Sequence, residues 1–118
     1  MRGRLSTFAC AATVLMLLSA PAALAHSKSA TSPADGAVGA APEAIVLSFD
    51  KPMRVTVLRL ISSNGDVAVE RKAGMEPVTR FEAVPKTPLA AGSYTVEWRG
   101  LAADGHPMEG TFGFEVSP

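Results

Sequence analysis

Cysteine and histidine are nearly absent from this sequence of 118 residues. There is one cysteine, Cys10, and there are two histidines, His26 and His106. One thiol can form neither an intramolecular disulfide nor a metal site built from several thiolates. Sustained helical periodicity is missing as well, since beyond the first 25 residues no stretch of ten or more repeats apolar side chains at helical spacing. These absences argue against a disulfide-stabilised domain and against a helical bundle.

The first 25 residues have the features of a secretory signal peptide. Arg2 and Arg4 form a basic start, an apolar run covers residues 8–18, and Ala23-Leu24-Ala25 is a small-x-small cleavage sequence. We therefore predict cleavage after Ala25, which gives a signal peptide at residues 1–25 and one domain at residues 26–118.

Two other roles for this segment fit the residues less well. An uncleaved membrane anchor needs about 20 apolar residues, and Pro21 interrupts the run before that length is reached. Lipidation at Cys10 is poorly matched by Thr7-Phe8-Ala9 before it and by the long apolar run after it.

Cleavage changes the composition that matters for function. It leaves 93 residues, which is 118 less the first 25, enough for one small domain. Removing Arg2 and Arg4 leaves nine basic side chains against eleven acidic ones, a net charge of about −2. That balance argues against nucleic acid or an anionic membrane surface as a partner. Removing Cys10 leaves the domain without a thiol, and we expect it to be soluble.

Short strands and turns are predicted along the whole domain. Apolar and polar residues alternate in several runs, which is the pattern of half-buried β-strands. Asn64-Gly65 is a strong hairpin signal between two of these runs. The predicted strands cover residues 45–50, 55–61, 67–69, 78–84, 94–99 and 111–116. Such a series indicates an antiparallel β-sandwich.

Six aromatic residues are predicted to form much of the core of this domain. For Tyr94 and Trp98 the polar tips leave a second interpretation open, in which these side chains face a binding site. The six are Phe49, Phe81, Tyr94, Trp98, Phe112 and Phe114.

His26 would be the first residue of the cleaved chain. A histidine in that position offers two nitrogens to one metal ion, because its free α-amine and its imidazole Nδ1 close a chelate ring. The ordinary pKa of the amine is about 8, so a metal ion displaces its proton readily near neutral pH. The chelate exists only after cleavage, since a preceding peptide bond turns the amine into an amide.

Asp104 and His106 form a second candidate pair. In extended backbone, residues i and i+2 point to the same face, and Pro107 biases His106 toward extended geometry, while Gly105 leaves freedom to adjust the spacing. With His26, the set of three nitrogens and one carboxylate oxygen suits tetragonal Cu(II) or tetrahedral Zn(II). These residues alone leave a plainer interpretation open, in which Asp104-Gly105 is an ordinary hairpin turn beside a surface imidazole.

Longer segments resemble the CopC copper-resistance family of the bacterial periplasm, over essentially all of residues 26–118. The most specific are Gly-x-Tyr-x-Val-x-Trp-Arg at residues 92–99 and Asp-Gly-His-Pro-x-x-Gly-x-Phe-x-Phe at residues 104–114. Ala25-His26, SPADGA at residues 32–37 and PEAIVLSF at residues 42–49 also match.

The resemblance implies an all-β fold, a small Greek-key antiparallel β-sandwich or barrel of immunoglobulin-like or cupredoxin-like type. It implies tight binding of Cu(II) by the N-terminal histidine, through amine and ring, together with the aspartate and histidine of the Asp-x-His segment. By motif these ligands are His26, Asp104 and His106, the set that the residues had indicated. The implied function is that of a periplasmic copper carrier or buffer in copper resistance or homeostasis, and not that of an enzyme.

Copper is the expected ligand, a separate membrane copper-transport protein is a candidate partner, and we expect a monomer. Some family members also hold Cu(I) in a methionine-rich loop, but Met53, Met75 and Met108 are scattered here, so no separate Cu(I) site is expected. Two rival functions are a copper-dependent oxidative enzyme with a site of the histidine-brace type and a metal-free interaction module.

Overall fold

The computed structural model describes Gly3 and residues 29–118, and the described chain is built from strands and turns. No helix within these residues is long and apolar enough to cross a membrane. The strands are β1 (Ser29–Ser32), β2 (Ala37–Gly39), β3 (Ile45–Ser62), β4 (Gly65–Val67), β5 (Val69–Arg71), β6 (Val78–Pro85), β7 (Gly92–Ala102) and β8 (Pro107–Val116).

β3 is the centre of the sheet and changes partners along its 18 residues. Its first part, up to Phe49, lies between β1 and β6, and its second part, from Met53, lies beside β7, with β4 on the other side at the far end. The strand order is β2-β8-β7-β3-β6-β5, and among the described pairs only β2–β8 is parallel. The sheet curves into a half-barrel, and the predicted all-β Greek-key sandwich or barrel is confirmed.

One apolar cluster lies inside this curved sheet, and no polar or charged side chain of the described residues is buried. All six aromatic residues belong to it, as predicted. Phe49 meets Trp98 edge to face with ring centroids 5.3 Å apart, and Tyr94 stacks on Phe114 at 5.3 Å. The cluster consists of Ile45, Leu47, Phe49, Met53, Val55, Leu60, Phe81, Ala83, Leu89, Tyr94, Val96, Trp98, Phe112, Phe114 and Val116.

The prediction of two separate strands at residues 45–50 and 55–61 was wrong, because both belong to β3. Pro52 does not end the strand, since it lies where the β3–β6 register shifts between Ser48 and Met53 and a missing N–H is tolerated there. Met53, the next residue of the strand, is a core residue and is 1% exposed.

The hairpin predicted at Asn64-Gly65 is present between β3 and β4, where Ser62 pairs with Gly65. The strand predicted at residues 78–84 is β6, and Phe81, predicted as a core residue, has no exposed surface. Alternation of apolar and polar residues therefore located these elements correctly.

The half-buried side chain of Arg71 forms hydrogen bonds both with the β5–β6 loop and with β3, close to the end of β7. The register between β3 and β7 shifts between Val55 and Val57, which leaves Thr56 as an extra residue. The Arg71 guanidinium donates to the carbonyl oxygens of Val55 and Thr56 and to those of Ala73 and Gly74 in the loop. It also lies 4.9 Å from the centroid of the Phe81 ring, a cation–π arrangement.

Candidate metal centre

The turn between β7 and β8 carries the two candidate ligands that lie in the described residues. Two backbone hydrogen bonds close this turn. Ala102 N–H donates to the carbonyl of His106 at 2.9 Å, and Gly105 N–H donates to the carbonyl of Ala102 at 2.8 Å. Gly105 has a φ of +87°, in the left-handed region that glycine favours. A tight turn followed by a residue in the left-handed conformation is a common hairpin connection. Asp104 and His106 therefore lie in the loop between the two strands.

Both oxygens of the Asp104 carboxylate contact His106. Oδ1 accepts the His106 backbone N–H at 3.1 Å, and Oδ2 lies 2.6 Å from the ring Nδ1. Since an ionised carboxylate only accepts hydrogen bonds, the proton of this contact belongs to Nδ1. The side chains of Asp104 and His106 are 62% and 78% exposed, so the pair stands in solvent. The far ring nitrogen, Nε2, has no hydrogen-bond partner among the described residues.

The hydrogen bond from the His106 backbone N–H holds the pKa of Asp104 below its usual value, and the ring contact acts in the same direction. The charged carboxylate is thereby favoured over the neutral acid at all ordinary pH values. An ionised carboxylate beside an exposed imidazole is a suitable pair of ligands for a divalent cation.

The 2.6 Å between Oδ2 of Asp104 and Nδ1 of His106 is the length of a hydrogen bond, because the proton on Nδ1 lies between the two atoms. In the neutral ring the nitrogen with a free lone pair is then Nε2.

β1 and β7 lie end to end along one edge of β3. Ser48 pairs with β1 on one side and with β6 on the other, and Met53 pairs with β7 on one side and with β6 on the other. Because β6 occupies one edge in both places, β1 and β7 share the opposite edge. β1 begins at Ser29, opposite Phe49, and β7 ends at Ala102, opposite Met53. The first residue of β1 and the last residue of β7 therefore face each other along this edge of β3.

The comparisons with known proteins agree with this architecture. The CopC domain profile matches residues 29–117. The copper resistance protein C of Escherichia coli is 36% identical over 107 residues, covering 80% of this chain and 83% of that protein. Its counterpart from Pseudomonas syringae pv. tomato is 36% identical over 112 residues, covering 86% and 87%. The chain belongs to the CopC family.

Solved structures of CopC proteins have the same fold. The structure of PcoC, a methionine-rich copper resistance protein from Escherichia coli, superposes with a TM-score of 0.65 at 30% identity, covering 79% of this chain and all of that one. CopC from Methylosinus trichosporium OB3b gives a TM-score of 0.65 at 28% identity, covering 79% and 95%. The family resemblance seen in the sequence is therefore confirmed.

In this CopC chain the three predicted ligands are not all described. Asp104 and His106 are in contact, whereas His26 lies outside the described residues. Within residues 29–118 no cluster of three or more histidine, cysteine, aspartate or glutamate side chains is suited to a metal ion. The role of the three residues as metal ligands stays a prediction.

The backbone that joins Asp104 to His106 differs from the expected one. The sequence predicted extended backbone with adjustable spacing at Gly105, but both residues belong to a closed turn in which Gly105 has a fixed left-handed conformation. The expectation was wrong because strand alternation ends at Ala102. The Asp-Gly dipeptide was the available signal for a turn at this position.

The other polar side chains considered for the site have structural roles in this CopC chain. Tyr94 is 7% exposed and its hydroxyl donates to the carbonyl of Ala90 at 2.6 Å. Trp98 is 5% exposed and packs against Phe49. For both residues, of the two interpretations left open by the sequence, core packing is the one that the structure supports.

The three methionines of the described chain have different environments. Met53 is buried, Met108 is partly buried against the core, and Met75 is 53% exposed in the β5–β6 loop. Met108 lies opposite Gly100 of β7, close in register to the β7–β8 turn.

Proposed function

We propose that this protein is a periplasmic Cu(II)-binding protein that acts as a copper carrier or buffer in copper resistance or homeostasis. The proposed ligands are the α-amine and imidazole of His26, the carboxylate of Asp104 and the imidazole of His106. Three neutral nitrogens and one carboxylate leave a bound Cu(II) with about one positive charge, which water at an exposed site tolerates.

The observation that carries the proposal is the contact between Asp104 and His106. An ionised carboxylate and an imidazole nitrogen stand 2.6 Å apart on an exposed turn, and neither is buried or tied into the core. Among the metals that these donor types allow, Cu(II) prefers tetragonal nitrogen and oxygen ligands and has the highest affinity in the divalent series, which favours it over Zn(II). The names of the relatives, copper resistance protein C, support the same metal.

The strand register supports His26 as the remaining ligand. If the pairing of β1 with β3 continued beyond Ser29, three further residues would bring position 26 opposite Pro52, next to the pair formed by Met53 and Ala102. Three residues of extended chain reach about 10 Å. With that pairing, the N-terminus of the cleaved chain would reach the level at which the β7–β8 turn begins.

The proposed signal peptide gives cleavage a chemical function. Removal of residues 1–25 would free the His26 amine and so complete the metal site outside the cytoplasm. A separate membrane copper-transport protein is the proposed exchange partner, and the protein is proposed to act as a monomer.

A carrier requires ligands and a rigid scaffold, whereas a copper-dependent oxidative enzyme also requires an open coordination position and a substrate surface. In the proposed site Asp104 occupies the fourth equatorial position. The relatives that match are named as copper resistance proteins. Both points support a carrier over an enzyme.

Titration of the cleaved protein with Cu(II), followed by electron paramagnetic resonance, tests this proposal. The expected result is one tightly held Cu(II) per chain with a nitrogen-rich tetragonal spectrum, and weaker binding of Zn(II) in competition. Addition of a reductant and oxygen should give no peroxide above that of free copper. The proposal is contradicted by copper binding no tighter than that of an unrelated protein with two histidines, and the carrier role is contradicted by sustained peroxide formation.

A further inference from the structure

Gly105 lies between the two candidate ligands and has a backbone conformation that other residues rarely adopt. Its φ is +87°, and a Cβ added at this position would meet no atom within 4 Å. A Cβ at this position therefore meets no steric obstacle from the described residues. A substitution by alanine is therefore expected to change the preferred backbone conformation at position 105, because the left-handed region is unfavourable for L-residues that carry a Cβ.

The hydrogen bonds of the turn depend on that conformation. Gly105 N–H donates to the carbonyl of Ala102, and the next peptide then turns so that His106 N–H meets Oδ1 of Asp104. The same carboxylate reaches the His106 ring through Oδ2. If φ at position 105 became negative, the peptide that carries the His106 N–H would rotate away from Asp104 and both contacts would be lost together.

We propose that Gly105 is a positioning residue whose left-handed conformation holds the Asp104 carboxylate against His106 before the metal arrives. The inference rests on the proposed copper function. On this inference, the affinity for copper depends on Gly105 as well as on the ligands. If only a fraction of the molecules had the turn in place before binding, the apparent affinity would be reduced to that fraction of the intrinsic affinity.

Three substitutions separate this role from a general effect on the fold. Gly105→Ala disfavours the left-handed conformation. Gly105→Asn adds a larger side chain, but asparagine tolerates that conformation far better. Gly65→Ala is the matched control, because Gly65 also lies in a hairpin turn with positive φ and open space at its Cβ, yet pairs with Ser62 at the end of β3 away from Met53.

Copper titration of the cleaved proteins is the first measurement. We expect Gly105→Ala to bind Cu(II) about tenfold more weakly than the natural protein, Gly105→Asn to recover most of the loss, and Gly65→Ala to bind normally even where its melting temperature falls. Unchanged affinity in Gly105→Ala overturns the inference, and so does an equal loss in Gly65→Ala.

Nuclear magnetic resonance of the metal-free proteins is the second measurement, and it does not depend on copper. The ¹⁵N shifts of the His106 ring should report a proton on Nδ1 in the natural protein and in Gly105→Asn. In Gly105→Ala they should move toward the averaged values of a free imidazole. If the ring shifts of Gly105→Ala are unchanged, the inference is wrong. If the shifts change as expected but the natural protein binds no copper, the positioning of the turn stands and the proposed function fails.

Discussion

Ser29 and Ala102 lie on the same edge of β3, Ser29 opposite Phe49 and Ala102 opposite Met53. The start of one strand and the end of another thus point toward each other across the few residues of β3 between those positions. The first residue of β1 therefore faces the end of β7, which leads into the turn that holds Asp104 and His106. The proposed ligation by His26 needs such an arrangement.

Replacing the described ligands should weaken copper binding without unfolding the domain. Both side chains are exposed on a turn, so His106→Ala and Asp104→Ala each remove a proposed metal ligand and leave the core intact. We expect a loss of affinity of at least about tenfold for each, larger for the histidine, measured by competition with a chelator of known affinity.

Glu109→Ala is the control for those two variants, because it removes one exposed carboxylate from the neighbouring strand β8. Its affinity for copper should equal that of the natural protein. A His106→Ala protein with unchanged affinity would refute the assignment of that residue.

The contact between Asp104 and His106 should make stability depend on pH in the acid range. The pKa of Asp104 is lowered in the folded protein, so its stabilising contribution is fully present above the unfolded value near 3.8 and is lost as pH falls through the lower folded value. Urea unfolding of the metal-free protein and of Asp104→Asn should therefore differ at about pH 6 and converge toward about pH 2. A difference that stays constant, or grows, on acidification would count against an ionised Asp104 in this contact.

Gly110 should not tolerate a side chain. A Cβ at this position would lie 2.5 Å from Nε1 of Trp98, so Gly110→Ala forces the indole to move within the core. We expect a loss of about 1–3 kcal/mol in the free energy of unfolding and a shift in tryptophan fluorescence. Gly39→Ala, where a Cβ would meet nothing within 4 Å, is the control and should leave the fluorescence unchanged. Normal stability in Gly110→Ala would show that the indole is not packed as described.

Much of the fold follows from the sequence, because a strand with one buried face alternates apolar and polar residues. This is why β6, β7 and β8 were located by their inward aromatic residues. The continuity of β3 was not predictable in the same way, since Pro52 is an ordinary strand terminator unless the neighbouring register shifts beside it. That shift is a property of the paired strands and has no local signal.

The candidate site was predictable in part. Asp104 and His106 were chosen for their chemistry and their spacing, and the structure brings them together by a turn that strand alternation did not suggest. The proximity of β1 to the end of β7 depends on pairings between distant segments, which spacing along the chain does not encode. His26 was chosen from the cleavage sequence alone and lies outside the described residues.

Arg71 should be more important for stability than an arginine on the surface. Its guanidinium binds four carbonyl oxygens across β3 and the β5–β6 loop, so Arg71→Ala leaves several acceptors without a partner. We expect Arg71→Ala to lower the free energy of unfolding, measured with urea, by about 2–3 kcal/mol. Arg71→Lys should recover only part of this loss, because an ammonium group lacks the several planar N–H donors of a guanidinium.

Arg80→Ala is the control for Arg71→Ala, since the Arg80 side chain is 63% exposed and, within residues 29–118, forms an ion pair with Glu82 alone. Removal of the Arg80 side chain should lower the free energy of unfolding by at most about 0.5 kcal/mol. Equal losses in Arg71→Ala and Arg80→Ala would mean that the contacts of Arg71 with the backbone contribute little.

The most direct test of the proposed function compares two proteins that differ only at the N-terminus. One begins at His26, and the other carries a single alanine before it, which converts the α-amine into an amide and leaves residues 29–118 unchanged. We predict tight binding of one Cu(II) by the first protein and a loss of affinity of at least about a hundredfold in the second, with the same melting temperature for both metal-free proteins. Equal affinity of the two proteins for Cu(II) would contradict the proposed N-terminal chelate.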